Sequence, residues 1–391
     1  MTMDTHSEIS RAIDSYREAV TGLSHKIHEH PELKFEEHFA SDLLARAVRE
    51  LGLKVETGVG GLKTAFRAEF GHGDGPTVAI LAEYDALPNG HSCGHNLICG
   101  AALTAVAGLA AMRDTLPGRI VLLGTPAEEG GGGKIILLDK GILKGVDAAM
   151  MAHPYDSEYS SIPALATQHL RISFHGRAAH AAAGPWDGAS ALSAVIQTFQ
   201  SIDAARLHLR DMSRVHGIIT NGGQAVNIIP ELTQCEFLAR ATTSSYAAEI
   251  AARIVRCAEA AAAATGVRVE HQVICGYKNM INNRAMTAVY ERHSDALGTP
   301  THATPPGMPT GSTDMGDVSH AITSIHPLFQ ISDTGKGNCH EDTFVKYADS
   351  ERGYAAMIRV AKAMAMTAYD LIAQPELLKE AKAEFETNTG G

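Results

Sequence analysis

Aromatic residues are scarce in this sequence. They make up 5% of 391 residues, with a single tryptophan, Trp186, which argues against a large aromatic stacking platform. The six cysteines, at positions 93, 99, 235, 257, 275 and 339, include no Cys-x-x-Cys pair and no dense cluster. A disulfide framework is therefore not expected, and a reducing compartment fits better. Positive charge is also in deficit, with 33 basic against 44 acidic residues and a net charge of −11. Without a basic cluster, neither nucleic acid nor an anionic membrane is an expected partner. The longest apolar run, 97–112, is 16 residues long and is interrupted by Gly100 and Gly108. It reads as a buried helix rather than a membrane span. The first fifteen residues contain no apolar core of a signal peptide, so a cytoplasmic location is expected. Gly130–Gly133 is not a phosphate-binding loop, because Lys134 is followed by Ile135 where Ser or Thr would be needed.

Hydrophobic periodicity supplies the architecture. Residues 7–51 have helical spacing, and Pro31 must divide them into two helices. Strands are expected at 63–70, 77–82, 119–125 and 147–152, alternating with helices near 96–113 and 134–140. The run 77–82 is continuously apolar, as suits a strand covered on both faces. This is the pattern of an α/β domain with a mixed, largely parallel sheet flanked by helices. From about residue 165 the order becomes β-α-β-β-α-β: strand 167–175, helix 188–202, strands 214–221 and 231–241, helix 246–265 and strand 267–277. That order is the ferredoxin-like split arrangement. After residue 278 the first pattern resumes with helix 284–297, strand 325–331 and helix 349–373. The chain is therefore expected to form one catalytic domain from residues 1–164 and 279–391. Residues 165–278 are expected to form an inserted α+β domain, of a kind that suits a lid.

The chemistry gathers at strand exits. Cys93 and His95 lie between a buried strand and an apolar helix, and Asp85 stands where it could orient His95. Glu128-Glu129 follows a second strand, His153 a third, and His340 lies in a polar loop after a fourth. Thiolate, imidazole and carboxylate donors converging on one sheet edge point to an open catalytic metal site. Adjacent residues on an extended backbone point in different directions, so one glutamate can bind metal while the other acts as general base. Thiolate and imidazole favour zinc, and carboxylates admit manganese. His25, His28 and His30 read as helix-surface or capping residues. A zinc deaminase would need His-x-Glu followed by Pro-Cys-x-x-Cys, which is missing. A non-catalytic metal- or peptide-binding protein on the same scaffold is the rival from another class; it would have no use for a second glutamate.

Ala82-Glu-Tyr-Asp-Ala-Leu-Pro88 and Gly90-His-Ser-Cys-Gly-His-Asn96 resemble the dinuclear metal aminoacylase/carboxypeptidase family. The resemblance is to its amidohydrolase branch, which includes p-aminobenzoyl-glutamate hydrolase, auxin-conjugate hydrolases and β-alanyl-lysine-type dipeptidases. Thr125-Pro-Ala-Glu-Glu-Gly130, His175-Gly-Arg-Ala-Ala-His180, Asn227-Ile-Ile-Pro230 and Gly311-Ser-Thr-Asp-Met-Gly316 extend it over almost the whole chain. The resemblance implies two divalent ions held by Cys93, His95, Glu129, His153 and His340, with Glu128 as general acid/base. It also implies a homodimer through the inserted domain, His180 reaching a neighbouring active site, and Asn227 and Arg240 as substrate contacts. The implied reaction is hydrolysis of a small amide, an N-acyl amino acid or dipeptide; a carboxypeptidase acting on longer peptides is the variant reading. Where many relatives of the wider family have His-x-Asp, this chain has Glu83-Tyr-Asp85, which leaves Glu83 without a role.

Overall fold

Thr77–Ala82 is fully buried along its whole length and forms the centre of the main sheet. The computed structural model describes residues 2–389 apart from 306, 309 and 338. The described residues divide into two compact units, Met1–Pro163 with Met280–Met308 and Asp314–Gly391, and Ala164–Asn279 with Pro309–Thr313.

The first unit opens with helices α1 (Thr2–Glu29) and α2 (His38–Glu50), separated around Pro31. Strands β1 (Val55–Thr57), β2 (Phe66–Gly71) and β3 (Thr77–Ala82) follow, then α3 (His95–Ala110), β4 (Arg119–Gly124), α4 (Gly133–Asp139), β5 (Ala148–Met150) and β6 (His153–Tyr155). The second unit contains β7 (Ala166–His175), α5 (Ala191–Ala205), β8 (Arg214–Asn221), β9 (Leu232–Ala241), α6 (Ser244–Thr265) and β10 (Arg268–Cys275). The chain then returns to the first unit with α7 (Arg284–Ala296), α8 (Met315–Ala321), β11 (Thr323–Ile325), β12 (Leu328–Gln330), α9 (Asp342–Ala348), α10 (Glu351–Ala373) and α11 (Pro375–Thr389).

The main sheet has the order β1-β2-β4-β3-β5-β11. Strands β4, β3, β5 and β11 are parallel, and β2 and β1 add an antiparallel edge. Register pairs Ala82 with Gly124, and Ile80 with Met150, so three neighbouring strands end close together. Helix α3 is buried throughout and packs on β3 and β4, with α1 and α10 laid against it. Parallel strands enclosed in this way are continuously apolar, which is why β3 lacks polar alternation.

One sequence expectation is corrected. Residues 325–331 are not one strand. Thr323–Ile325 pairs with β5 in the main sheet, whereas Leu328–Gln330 pairs with β6 in a separate two-stranded parallel sheet. The break falls at His326-Pro327, where proline has no N–H to continue a ladder. The Pro327 carbonyl instead accepts from the backbone N–H of His153 at 3.0 Å. The switch of sheet thus carries His153 away from β5.

In the second unit a four-stranded antiparallel sheet, β10-β7-β9-β8, carries α5 and α6. Its core includes Leu170, Ile172, Phe174, Phe237, Ile250 and Ile254. Burial along β9 alternates with period two, the mark of a sheet covered on one face. The stretch through Gly311 and Ser312 joins this unit: the Leu165 N–H donates to the Gly311 carbonyl at 2.9 Å, and Arg240 Nη1 donates to Ser312 Oγ at 2.8 Å.

Candidate metal centre

Strand register and two unusual turns build the site. Gly94, at φ +72°, caps the N-terminus of α3 in the left-handed region. A Cβ at Gly94 would lie 2.6 Å from Pro154 Cγ, so glycine alone lets Cys93 and His95 approach from the two sides of this turn. After β4, Ala127 takes φ +62° and is fully buried. Its N–H donates to Glu37 Oε1 at 2.8 Å, and Thr64 Oγ1 donates to Glu37 Oε2 at 2.9 Å. Glu37 thus holds the turn that presents Glu128 and Glu129. A Cβ on Gly133 would lie 1.8 Å from the Pro126 carbonyl oxygen, so the glycine run lets the chain fold back on this turn. His340, at φ +75°, is fastened by its N–H to the Ser92 carbonyl at 2.8 Å, beside Cys93. Two non-glycine residues in the left-handed region at one site indicate a local geometry imposed by the surrounding structure.

The donors named from sequence come together. Cys93, His95 and His153 form one group, Cys93, Glu129 and His340 a second, and His95, Glu128 and Glu129 a third. Within each group the donor atoms all lie within 4.8 Å of one another. Cys93 Sγ is 3.5 Å from His153 Nε2, and His340 Nε2 is 3.2 Å from Glu129 Oε1. Donors about 2.0–2.3 Å from one tetrahedral zinc ion are separated by about 3.3–3.7 Å, so these spacings suit shared cations. Two buried atoms, His95 Nε2 and Glu83 Oε1, have no hydrogen-bond partner among the described residues. Such orphaned atoms in a core are costly unless something binds them. The chemistry of the donor set and these two atoms fit a divalent metal.

The ring orientations agree. Asp85 Oδ1 is 3.1 Å from His95 Nδ1, and Asp85 Oδ2 accepts from the Glu129 N–H at 2.9 Å. One carboxylate thereby orients an imidazole and positions a glutamate backbone. His153 Nδ1 donates to the Pro154 carbonyl at 2.7 Å, which leaves Nε2 with its lone pair toward Cys93.

The electrostatics are those of crowded anions. Burial raises the Glu128 carboxyl well above its usual range, and the carboxylates of Glu83, Glu129 and Asp314 raise it further. Burial works the same way on Glu129, but His340 and His95 more than offset it and hold that group down. Burial, against the pull of Glu83 and with His95 and His326 nearby, drops the His153 imidazole to about 3. The Cys93 thiol is pushed up by the neighbouring Cys339 thiol, by burial and by the two glutamates. A bound divalent cation reverses that logic and deprotonates a coordinating thiol.

Three contributors were not singled out from sequence. Glu37, Lys134 and Asp314 reach the site through contacts distant in the chain. Lys134 Nζ lies 2.5 Å from Glu83 Oε2 and 2.7 Å from Asp314 Oδ1, all three side chains being completely buried. Lys134 adjoins the glycine run and Asp314 lies within a quoted motif, whereas Glu37 stands in no motif. The remaining named residues belong to the second unit. His180 Nδ1 accepts from the N–H groups of Ala182 and Ala183 at 3.2 and 3.1 Å, so its proton resides on Nε2. Asn227 is an exposed neighbour, its carbonyl accepting from the Ala181 N–H at 3.0 Å. Arg240 is partly buried, and desolvation lowers its pKa.

Comparison with known proteins agrees with the geometry. A chain with this donor set beyond the carboxyl ends of parallel strands falls among metal-dependent hydrolases. The chain belongs to peptidase family M20/M25/M40, matching it over residues 79–363. It is 37% identical to the mouse Xaa-Arg dipeptidase, over 96% of this chain and 90% of that protein. It is 34% identical to a p-aminobenzoyl-glutamate hydrolase chain of Escherichia coli K12, over 75% of this chain and 65% of that one. A dinuclear metal binding peptidase of the M20 family from Bacillus subtilis shares the fold, with a TM-score of 0.72 at 20% identity, over 92% of this chain and 99% of that chain. The chain is thus a hydrolase of amide bonds. Among the described residues, no helix is long and apolar enough to cross a membrane.

Proposed function

We propose that this chain hydrolyses the amide bond of a dipeptide or N-acyl amino acid, using two divalent ions held by Cys93, His95, Glu129, His153 and His340. Dipeptides ending in arginine are the first candidates, because similarity to the Xaa-Arg dipeptidase spans nearly the whole chain. The observation that carries the reading is the convergence of these five side chains and Glu128 into overlapping three-donor groups. The thiolate and imidazole donors favour zinc and admit manganese.

When bound, the metal pair supplies an acidified water and a Lewis acid for the carbonyl. Everything else falls to the chain. Glu128 accepts the proton of the attacking water and returns it to the leaving nitrogen, a role worth about 10²- to 10⁴-fold. Asp85 keeps His95 in its ligating orientation. His180, with its proton on Nε2, has the tautomer required to donate to an oxyanion, a contact worth about 3–4 kcal/mol. Arg240 pairs with the substrate carboxylate, and Asn227 hydrogen-bonds the substrate. The inserted β-α-β-β-α-β unit is read as a ferredoxin-like lid that also forms a homodimer.

The test varies the two halves of the substrate independently. Metal-reconstituted protein is assayed on Xaa-Arg and other dipeptides, N-acyl amino acids, p-aminobenzoyl-glutamate and longer peptides. Release of an amino acid, abolished by chelation and restored by zinc or manganese, is expected. Full activity after exhaustive chelation would overturn the reading. Tight binding of metal and peptide without cleavage would favour a binding protein instead.

A further inference from the structure

The buried trio Glu83, Lys134 and Asp314 is more than a core ion pair. Its charges do not balance: one ammonium stands between two carboxylates, and all three side chains are fully buried. An uncompensated charge in a core is expensive and persists only where something opposes it. Asp314 is satisfied, with Oδ1 on Lys134 Nζ at 2.7 Å and Oδ2 accepting from the Lys134 N–H at 2.9 Å. Glu83 is only half engaged. Its Oε2 is fixed by Lys134 Nζ at 2.5 Å, whereas Oε1 has no hydrogen-bond partner among the described residues. That oxygen lies 3.5 Å from His95 Nε2, which likewise has no hydrogen-bond partner among the described residues. The separation is too long for a good hydrogen bond and is close to the spacing of two donors on one ion, about 3.3–3.7 Å for zinc.

We propose that Glu83 is a sixth protein ligand, binding through Oε1 the ion held by His95 Nε2, with Lys134 and Asp314 as the buried arm that aims it. The inference rests on the metal-dependent reading above. Lys134 ties one carboxylate oxygen and leaves the other directed at His95. This is how hydrogen-bonded carboxylate ligands are oriented in metal sites. Asp314 in turn anchors Lys134 by both its backbone and its ammonium group, so the arm cannot swing away.

The experiment compares the full-length parent, Glu83→Gln, Glu83→Asp and Lys134→Met. Three quantities are read: zinc stoichiometry and affinity by competition with a chromophoric chelator, the visible spectrum of the cobalt(II)-loaded protein, and the melting temperature after chelation. Glu83→Gln is expected to weaken one of two ions by more than about 100-fold, beyond the 10- to 100-fold typical of losing a residue that only orients a ligand. Its cobalt(II) spectrum is expected to change. Lys134→Met is expected to weaken the same ion by about 10- to 100-fold while the spectrum keeps its form. Glu83→Asp keeps the charge but retracts the oxygen, so it too is expected to weaken that ion, and it serves if the glutamine variant does not fold. Parental affinity and spectrum in Glu83→Gln or Glu83→Asp, with only the chelated melting temperature lowered, would reduce Glu83 to a structural ion-pair member. A parent that binds no divalent ion would overturn the metal reading itself and this inference with it.

Discussion

Glu128 and Glu129 are adjacent in sequence yet differ in their surroundings. Glu129 faces His340 at 3.2 Å and is held low, whereas Glu128 is raised by burial and by neighbouring anions. Environments that separate two carboxyl groups in this way divide their roles. Glu128→Gln is accordingly expected to retain parental metal stoichiometry and to lose about 10²- to 10⁴-fold in turnover. Metal analysis beside steady-state kinetics checks this, and near-parental turnover would refute the assignment. At this scale the candidate donors Cys93, His95, Glu128, Glu129 and His153 were legible because each lies just beyond a strand, and His340, in a polar loop, only as a member of the constellation. Glu37, Lys134 and Asp314 were not, since their meaning arises only from partners far away in the chain. Lys134 looked like the tail of a glycine loop; its partners are Glu83 and, 180 positions on, Asp314. No local pattern encodes such a pairing.

Among the elements, helices and strands with clear periodicity were readable almost to their ends, as β8 (Arg214–Asn221) illustrates. Strand β3 was legible as a fully buried strand because its apolar run is unbroken. The failure at 325–331 has a local cause in Pro327, whose significance depends on a second sheet being available to receive Leu328–Gln330. Long-range fastening of elements was equally hidden. Asp370 on α10 binds His6 of α1 at 2.8 Å and His293 of α7 at 2.9 Å, each imidazole taking one carboxylate oxygen. Burial opposes ionisation of this carboxyl, but His293 and His6 depress its pKa strongly. The resulting stabilisation is fully present above the unfolded value of about 3.9 and is lost progressively as pH falls from there through the depressed folded value. Asp370→Asn is expected to cost about 1.5–3 kcal/mol at neutral pH. In melting experiments below pH 5, the gap between parent and variant should narrow as the carboxyl protonates. A gap that stays constant down to pH 3 would show that the charge is not what clamps these helices.

At the scale of the whole molecule, the second unit leaves a strand edge open. β8 ends the sheet order β10-β7-β9-β8, and it exposes Ile218 at 63% and Ile219 at 43%. Exposed apolar edge strands invite pairing, and natural proteins normally blunt them. The proposed homodimer gives this edge a use. Light scattering after size exclusion is expected to report twice the chain mass for the parent and one chain mass for Ile218→Lys/Ile219→Lys. A monomeric parent, or a dimer unaffected by both lysines, would remove β8 from the interface.

The fastening of His340 to Ser92 also bears on synthesis. A nascent polypeptide released only as far as residue 330 already carries Cys93, His95, Glu128, Glu129 and His153, yet lacks the histidine hydrogen-bonded to Ser92. On the proposed ligand set, the cage therefore cannot close until the ribosome has delivered residue 340. On that reading full metal loading waits for residue 340, and a product truncated before it is expected to hold metal in a cage with one side open.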